Sequence, residues 1–203
     1  MYEYTGGMTR APGQWTGDDE ERPAPAPLDC VQSLVNTIDL EIGQDRLAQP
    51  DDALPWLIAN GLIGANVQLD ASDLAFVRDV REALRALLIH NAGGPAPGPD
   101  DLAVLRQVAA GGSAIAELGD DGEVMLSADG DSLRARLAGL LLIIRDAQRD
   151  GSWSRLKACA NDDCRWAFYD QSRNRGGAWC TMAVCGNRLK NRDFRARQRE
   201  ASG

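Results

Sequence analysis

The stretch CANDDCRWAFYDQSRNRGGAWCTMAVCGNR, residues 159–188, decides how this chain folds. It sets Cys159 and Cys164 four residues apart, then a 15-residue linker, then Cys180 and Cys185 with the same four-residue gap. Two close cysteine pairs joined by a linker are what a tetrahedral zinc ion demands. Each pair sits on a tight turn, and four thiolates close the shell. A closed shell leaves no position for water, so the expected cofactor is one structural Zn2+ per chain, not a catalytic one. Two disulfides or buried free thiols are the alternative. The first residues lack a basic start followed by an apolar run, so no secretion signal is expected. That places the chain in the reducing cytoplasm, where metal binding is favoured over disulfides. Energetics point the same way. A segment of about 50 residues with few aliphatics cannot stabilise itself, and a structural metal supplies on the order of 10 kcal/mol. Trp153, Trp166, Phe168, Tyr169 and Trp179 are expected to pack around the site.

Charge divides the chain at the same place. Residues 153–203 carry 11 Lys and Arg against 5 Asp and Glu, a net of +6. The remaining 152 residues carry 11 basic and 25 acidic side chains, a net of −14. An acidic body with a basic end suggests two parts with different partners. Zinc held by four thiolates adds about −2 and brings the module to about +4. The longest apolar run, Leu140–Ile144, is far short of the roughly 20 residues a spanning helix needs, so no membrane contact is expected.

Upstream, residues 1–27 are rich in Gly, Pro and acids and read as a mobile arm, in which Trp15 has no evident docking place. Residues 28–150 read as an acidic domain and 151–203 as the zinc module. In the acidic domain, Leu28, Val31, Leu34, Val35 and Ile38 recur with helical spacing. A short helix is expected from Asp51 or Asp52 to Asn60, ended by Gly61. A long one, capped by Ser72, runs through Leu74, Val77, Leu84, Leu87 and Leu88 to about His90. Asp100 is placed to cap another, ending near Ala110. Ser113–Leu118 and Glu123–Ala128 flank Gly119-Asp120-Asp121-Gly122 and read as a β-hairpin. Asp131 or Ser132 caps a last helix that buries Leu133, Leu137, Leu140, Leu141 and Ile144. The expected class is α+β: a mostly helical N-terminal domain with a small hairpin or sheet, then the four-cysteine module ending in a basic helix.

That last helix carries the candidate nucleic-acid contacts. At 100° per residue, Arg188, Arg192, Arg195 and Arg199 fall within about 60° of one another, while Lys190 and Arg197 lie on another side. Arginine suits phosphate forks and guanine edges, so a zinc-anchored helix with this stripe can enter a groove of duplex DNA. The competing reading is a basic face that is solvated, docked on the acidic body, or used in a homodimer. Asn187, just after Cys185-Gly186, is read as orienting backbone or sulfur rather than a base. No catalytic constellation is visible in the acidic domain, and an enzyme is not expected. The only histidine, His90, sits at a helix end, where a cation is favoured. Neither Gly111-Gly112 nor Gly119–Gly122 is followed by the Lys-Ser/Thr of a phosphate loop. Asn36, Thr37 and Trp56 are the candidate lining of a pocket for a small-molecule effector, with core or turn roles as the alternative. Cys30 reads as a core residue.

Cys185-Gly186-Asn187-Arg188, with Cys164-Arg-Trp-Ala-Phe168-Tyr-Asp170-x-Ser172-Arg173-Asn174 and Trp179-Cys180-x-Met182, resembles the CGNR zinc-finger family of bacterial proteins. Leu28-Asp29-x-Val31-x5-Asn36-Thr37 with Trp56-Leu57 is similar to the ABATE domain that accompanies that finger. The resemblance covers about residues 28–200. It implies a transcription regulator, linked to stress, whose finger is the DNA-binding part, with Arg173 and Arg175 on phosphates. Gly176-Gly177-Ala178 stands where the family commonly carries basic residues.

Overall fold

The computed structural model describes residues 15, 20–64 and 67–186. In chain order these form α1 (Asp29–Val35), a hairpin of β1 (Ile38–Asp39) and β2 (Gln44–Asp45), α2 (Pro50–Ala59), α3 (Ala71–Asn91) and α4 (Pro99–Ala110). A second hairpin follows, β3 (Ser113–Leu118) with β4 (Val124–Asp129), then α5 (Leu133–Asp150) and a third pair, β5 (Leu156–Ala158) with β6 (Ala167–Tyr169). Each pair is an antiparallel two-stranded sheet of its own. The chain is therefore α+β and mostly helical, as the sequence predicts.

The central element is α3, about 30 Å long at the usual rise per residue. Leu74, Val77, Leu84 and Leu88 line one face and are buried. Against it pack α1, α4 and β5, while α5 covers α4 and the second hairpin. Ser132 caps α5 by accepting from the Ala135 N–H at 3.2 Å, and Gly151 ends it at φ +80, a left-handed conformation that glycine adopts without strain.

Several local expectations change. Asp70, not Ser72, caps α3: its carboxylate accepts from the Asp73 N–H at 2.8 Å, and the Ser72 hydroxyl donates to that same carboxylate. Gly98, not Asp100, is the cap residue of α4, because Pro99 has the φ of a first helical position and Asp101 accepts from the Gly98 N–H at 2.8 Å. The first helix stops at Val35, and Ile38 belongs to β1. The β1–β2 hairpin serves α3. Asp45 on β2 takes the Arg81 guanidinium in a two-pronged ion pair at 2.6 and 3.0 Å, with the arginine 3% exposed.

Residues 20–24, assigned by composition to the arm, are seated on the folded part. The Arg22 carbonyl accepts from the Tyr169 N–H at 3.0 Å, and Ala24 is buried with its N–H donated to Gln32 Oε1 at 2.6 Å. Backbone hydrogen bonding supplies the fixation that the side-chain composition does not advertise. Trp15 also has a place: its indole N–H donates to the Asn36 carbonyl at 3.1 Å. Among the described residues, no helix is long and apolar enough to cross a membrane.

Candidate metal centre

The four cysteines converge. Their sulfurs all lie within 4.8 Å of one another, with Cys164 to Cys180 at 3.7 Å and Cys180 to Cys185 at 3.6 Å. Zinc–sulfur bonds of 2.3 Å put the edges of a sulfur tetrahedron at about 3.8 Å, so the separations fit zinc. They are much too long for a disulfide, and all five cysteines of the chain are free thiols. The alternative of two disulfides fails on that geometry.

Local backbone explains the spacing. Cys159 directly follows β5 and Cys164 precedes β6, so the first pair occupies the turn of a short hairpin. The Asn161 carbonyl accepts from the N–H groups of both Cys164 and Arg165, each at 2.9 Å, and Arg165 adopts φ 47 to complete the turn. The second pair uses a different device. Met182–Gly186 is a single π-helical turn, closed by the Gly186 N–H onto the Thr181 carbonyl at 3.2 Å. A turn with i→i+5 bonding brings residue 185 under residue 180, which accounts for the wide four-residue gap.

The sulfurs show why the site needs a cation. Hydrogen bonds from Cys164 and Cys180 pull the Cys159 thiol far below its ordinary value, with help from the Asn161 and Cys180 N–H groups. The proton held toward Cys159 pushes Cys164 and Cys180 up, and burial pushes Cys185 up. Sulfurs this close oppose one another's ionisation. Four thiolates become possible only when a divalent ion balances them. The residues can hold one zinc ion, with a shell of sulfur that leaves no site for a substrate.

Beneath the site lies a buried ion pair. Lys157 Nζ on β5 meets Asp170 Oδ2 at 2.8 Å, with side-chain exposures of 6% and 1%. The ammonium also donates to the carbonyls of Arg175 and Gly177. Asp170 accepts in turn from the N–H groups of Gly177 at 2.8 Å and Ser172 at 3.0 Å. Burial raises its pKa, but Lys157 and these donors outweigh burial and hold the carboxyl well below the usual carboxylate range. A Cβ on Gly177 would come within 2.7 Å of the Asp170 carboxylate. This contact explains the glycine in the Gly176-Gly177-Ala178 stretch: position 177 closes the 165–179 linker over Asp170.

The body grips this module through α1 and α3. Asn36 is 3% exposed and acts as a one-residue strand edge. Its Oδ1 accepts from the Ala167 N–H at 2.7 Å, and its Nδ2 donates to the Ala167 carbonyl at 2.9 Å and to Glu20 at 3.0 Å. Arg85, 2% exposed, reaches from α3 to the carbonyls of Val35 (2.7 Å) and Arg165 (2.9 Å). Asn91, at the end of α3, donates to the carbonyls of Trp153 and Leu156, both at 3.0 Å. From the arm, Glu20 accepts from the Trp166 indole at 2.9 Å, and Arg22 donates to the Trp179 carbonyl at 3.0 Å. Replacing Asn36 with Ala leaves the Ala167 N–H without its partner. We expect the zinc-loaded protein to lose about 2–3 kcal/mol in urea unfolding. A loss under about 0.5 kcal/mol, the size of a neutral surface change, would contradict this role.

The other sequence candidates separate. Thr37 is 1% exposed and is used internally, donating to the Leu34 carbonyl at 2.8 Å and accepting from Arg81 at 3.3 Å. Asn36 and Trp56 do line a cleft of about 440 Å³. Arg173 is exposed; Arg175, at φ 51, donates to the Ser154 hydroxyl at 3.1 Å. Arg188, Lys190, Arg192, Arg195, Arg197 and Arg199, together with Asn187, lie outside the described residues. His90 is exposed, and Cys30 is half-buried against the core. The sequence reading missed Lys157, Asp170, Arg81 and Arg85. For the two arginines a signal exists: they continue the buried face of α3 at helical spacing after Leu74 and Val77.

Comparison with known families supplies two matches. The CGNR zinc finger matches residues 155–198. The ABATE family, described as "Putative stress-induced transcription regulator", matches residues 28–158. Comparison with curated proteins gives no match.

Proposed function

We propose, from the premise that this chain belongs to the ABATE family of transcription regulators and carries a CGNR zinc finger, that it binds duplex DNA through its zinc module. Cys159, Cys164, Cys180 and Cys185 are the ligands of a structural zinc ion. Arg188, Arg192, Arg195 and Arg199 make most DNA contacts, with Lys190 and Arg197 beside them. Arg173 reaches a phosphate, and Arg175 does so on leaving Ser154. The acidic domain, residues 28–150, senses an effector or dimerises, and the module spans 151–203. The protein works in the reducing cytoplasm, where its thiols stay available to metal.

One observation carries this reading. The metal cluster fixes Cys185 and Gly186 in a closed turn, and a run holding six basic residues begins two positions later. A rigid anchor followed by arginines at helical spacing is how small zinc modules present a helix to a groove. A second reading has its own support: Asn36, Arg85 and Asn91 seat the module on an acidic body, so the basic run could instead serve a protein partner or a dimer.

The double substitution Arg192→Ala with Arg195→Ala separates the two. For DNA binding, affinity for duplex falls by about one to two orders of magnitude, the salt slope shrinks by about 2, and the mass in light scattering is unchanged. Unaltered DNA retention with a changed mass favours the protein-interface reading.

A further inference from the structure

The arm and the body enclose the cleft of about 440 Å³ that Asn36 and Trp56 line. Trp15 and Trp56 are aromatic walls, and Glu20, Asp29 and Arg46 supply charge. A neighbouring hollow of about 600 Å³ shares Trp15, Arg46 and Trp56 and adds Asp52. Asp45, also at its rim, is already paired with Arg81. Among the described lining residues, three carboxylates therefore stand against one guanidinium, and their balance is negative.

One of those carboxylates has an oxygen without a partner, and a second, Glu20, is partly desolvated. Asp29 Oδ1 is buried and has no hydrogen-bond partner among the described residues. Burial pushes the Glu20 carboxyl above its ordinary value despite hydrogen bonds from Arg22, Trp166 and Asn36. A half-buried carboxylate gains from an added positive charge. The aromatic walls favour the same sign: the Arg46 guanidinium already lies over the Trp15 ring, 5.2 Å from its centre. Anions would meet repulsion here. Among the described residues, the cysteine cluster is the one group with a metal-ligand arrangement.

We propose that this cleft binds an organic ammonium ion with an apolar or aromatic body, its charged head near Glu20 and Asp29 and its body against Trp56. The site deepens the sensing role given above to the N-terminal domain and rests on that role for its consequence. Glu20 is the link: the carboxylate that would meet the ligand also holds the Trp166 indole of the zinc module. An occupant that draws on Glu20 thereby acts on the contact between arm and finger.

Calorimetry on the full-length, zinc-loaded protein tests this with three probes of one shape: phenethylammonium, neutral 2-phenylethanol and anionic phenylacetate. The ammonium is expected to bind saturably and at least about tenfold tighter than the alcohol, with no binding of phenylacetate. Asp29→Asn, which keeps the shape of an oxygen that has no partner to lose, should erase most of that preference and leave alcohol binding unchanged. Equal binding of ammonium and alcohol, no saturable heat from the ammonium, or an unaltered preference in Asp29→Asn would overturn the proposal. DNA binding measured on the same samples keeps the two ideas apart. Loss of duplex binding with the ammonium preference intact strikes the proposed function alone, and the reverse strikes this site alone.

Discussion

Removing the metal with a strong chelator is expected to collapse residues 156–186 and to leave most of the helix content in place. Structural zinc in small modules contributes about 10–16 kcal/mol of apparent folding energy, more than a whole small domain retains. Little apolar burial holds this segment: among the described residues, its own buried apolar side chains are Leu156, Ala158, Ala167 and Phe168, beside the cysteines. Without the ion, the thiols of Cys164, Cys180 and Cys185 keep their protons and the sulfurs lose their common partner. The near-ultraviolet signal of Trp166 and Trp179 should vanish, and readdition of zinc should restore it. The far-ultraviolet signal of α3 and α5 should fall only modestly. Their leucines still bury one another, although α3 loses the partners of Asn91 and Arg85. Metal analysis should give about one zinc per chain. Superimposable melting curves with and without chelator would contradict the scaffold role.

The second large effect is expected at Asp170. Asp170→Ala leaves the Lys157 ammonium buried against carbonyl groups only, and breaking such a pair costs about 3–5 kcal/mol. Asp170→Asn should cost less, because its remaining oxygen can still accept from Lys157 and the Gly177 N–H, although the Ser172 N–H, which meets the other oxygen, loses its partner. The dependence on pH has a definite sign. The folded-state pKa is depressed, so the carboxylate contributes its full stability above the unfolded value of about 4 and loses it as pH falls through the folded value. The Asp170→Asn penalty should therefore be complete at neutral pH and hold its full size into mild acid, for as long as the thiolates keep zinc. Urea titrations of both variants from neutral to mildly acidic pH, with zinc saturating, measure it. An Asp170→Asn variant as stable as the parent at neutral pH would refute the ionic account.

The cysteine spacing was the most legible feature of the sequence, since the demands of tetrahedral coordination are independent of the surrounding fold. The second hairpin and α5 were legible because short apolar runs around a Gly/Asp turn and a Ser cap are local signals. The first hairpin was not, because strands of two residues carry no periodicity. The seating of residues 20–24 was hidden for a related reason: it depends on main-chain hydrogen bonds, which any residue except proline can donate. Asn36 was legible as special, with a pocket lining and a core or turn role both left open. Its amide is engaged by Ala167 and Glu20, which makes it a clamp at the cleft wall rather than a free ligand contact. Lys157 and Asp170 were invisible as a pair because 13 residues separate them, and only the β5–β6 register brings them together. The same pair gives a physical reason for Gly177, which the resemblance alone marks only as missing charge.

Duplex binding by the zinc-loaded full-length protein, followed by fluorescence anisotropy across a salt series, tests the central claim most directly. Four to six arginine–phosphate contacts predict saturable binding at low salt, with log K falling linearly against log salt at a slope of about −4 to −5. Chelation should abolish it. No binding to genomic duplex at low salt, or binding that ignores salt and metal alike, would contradict the account.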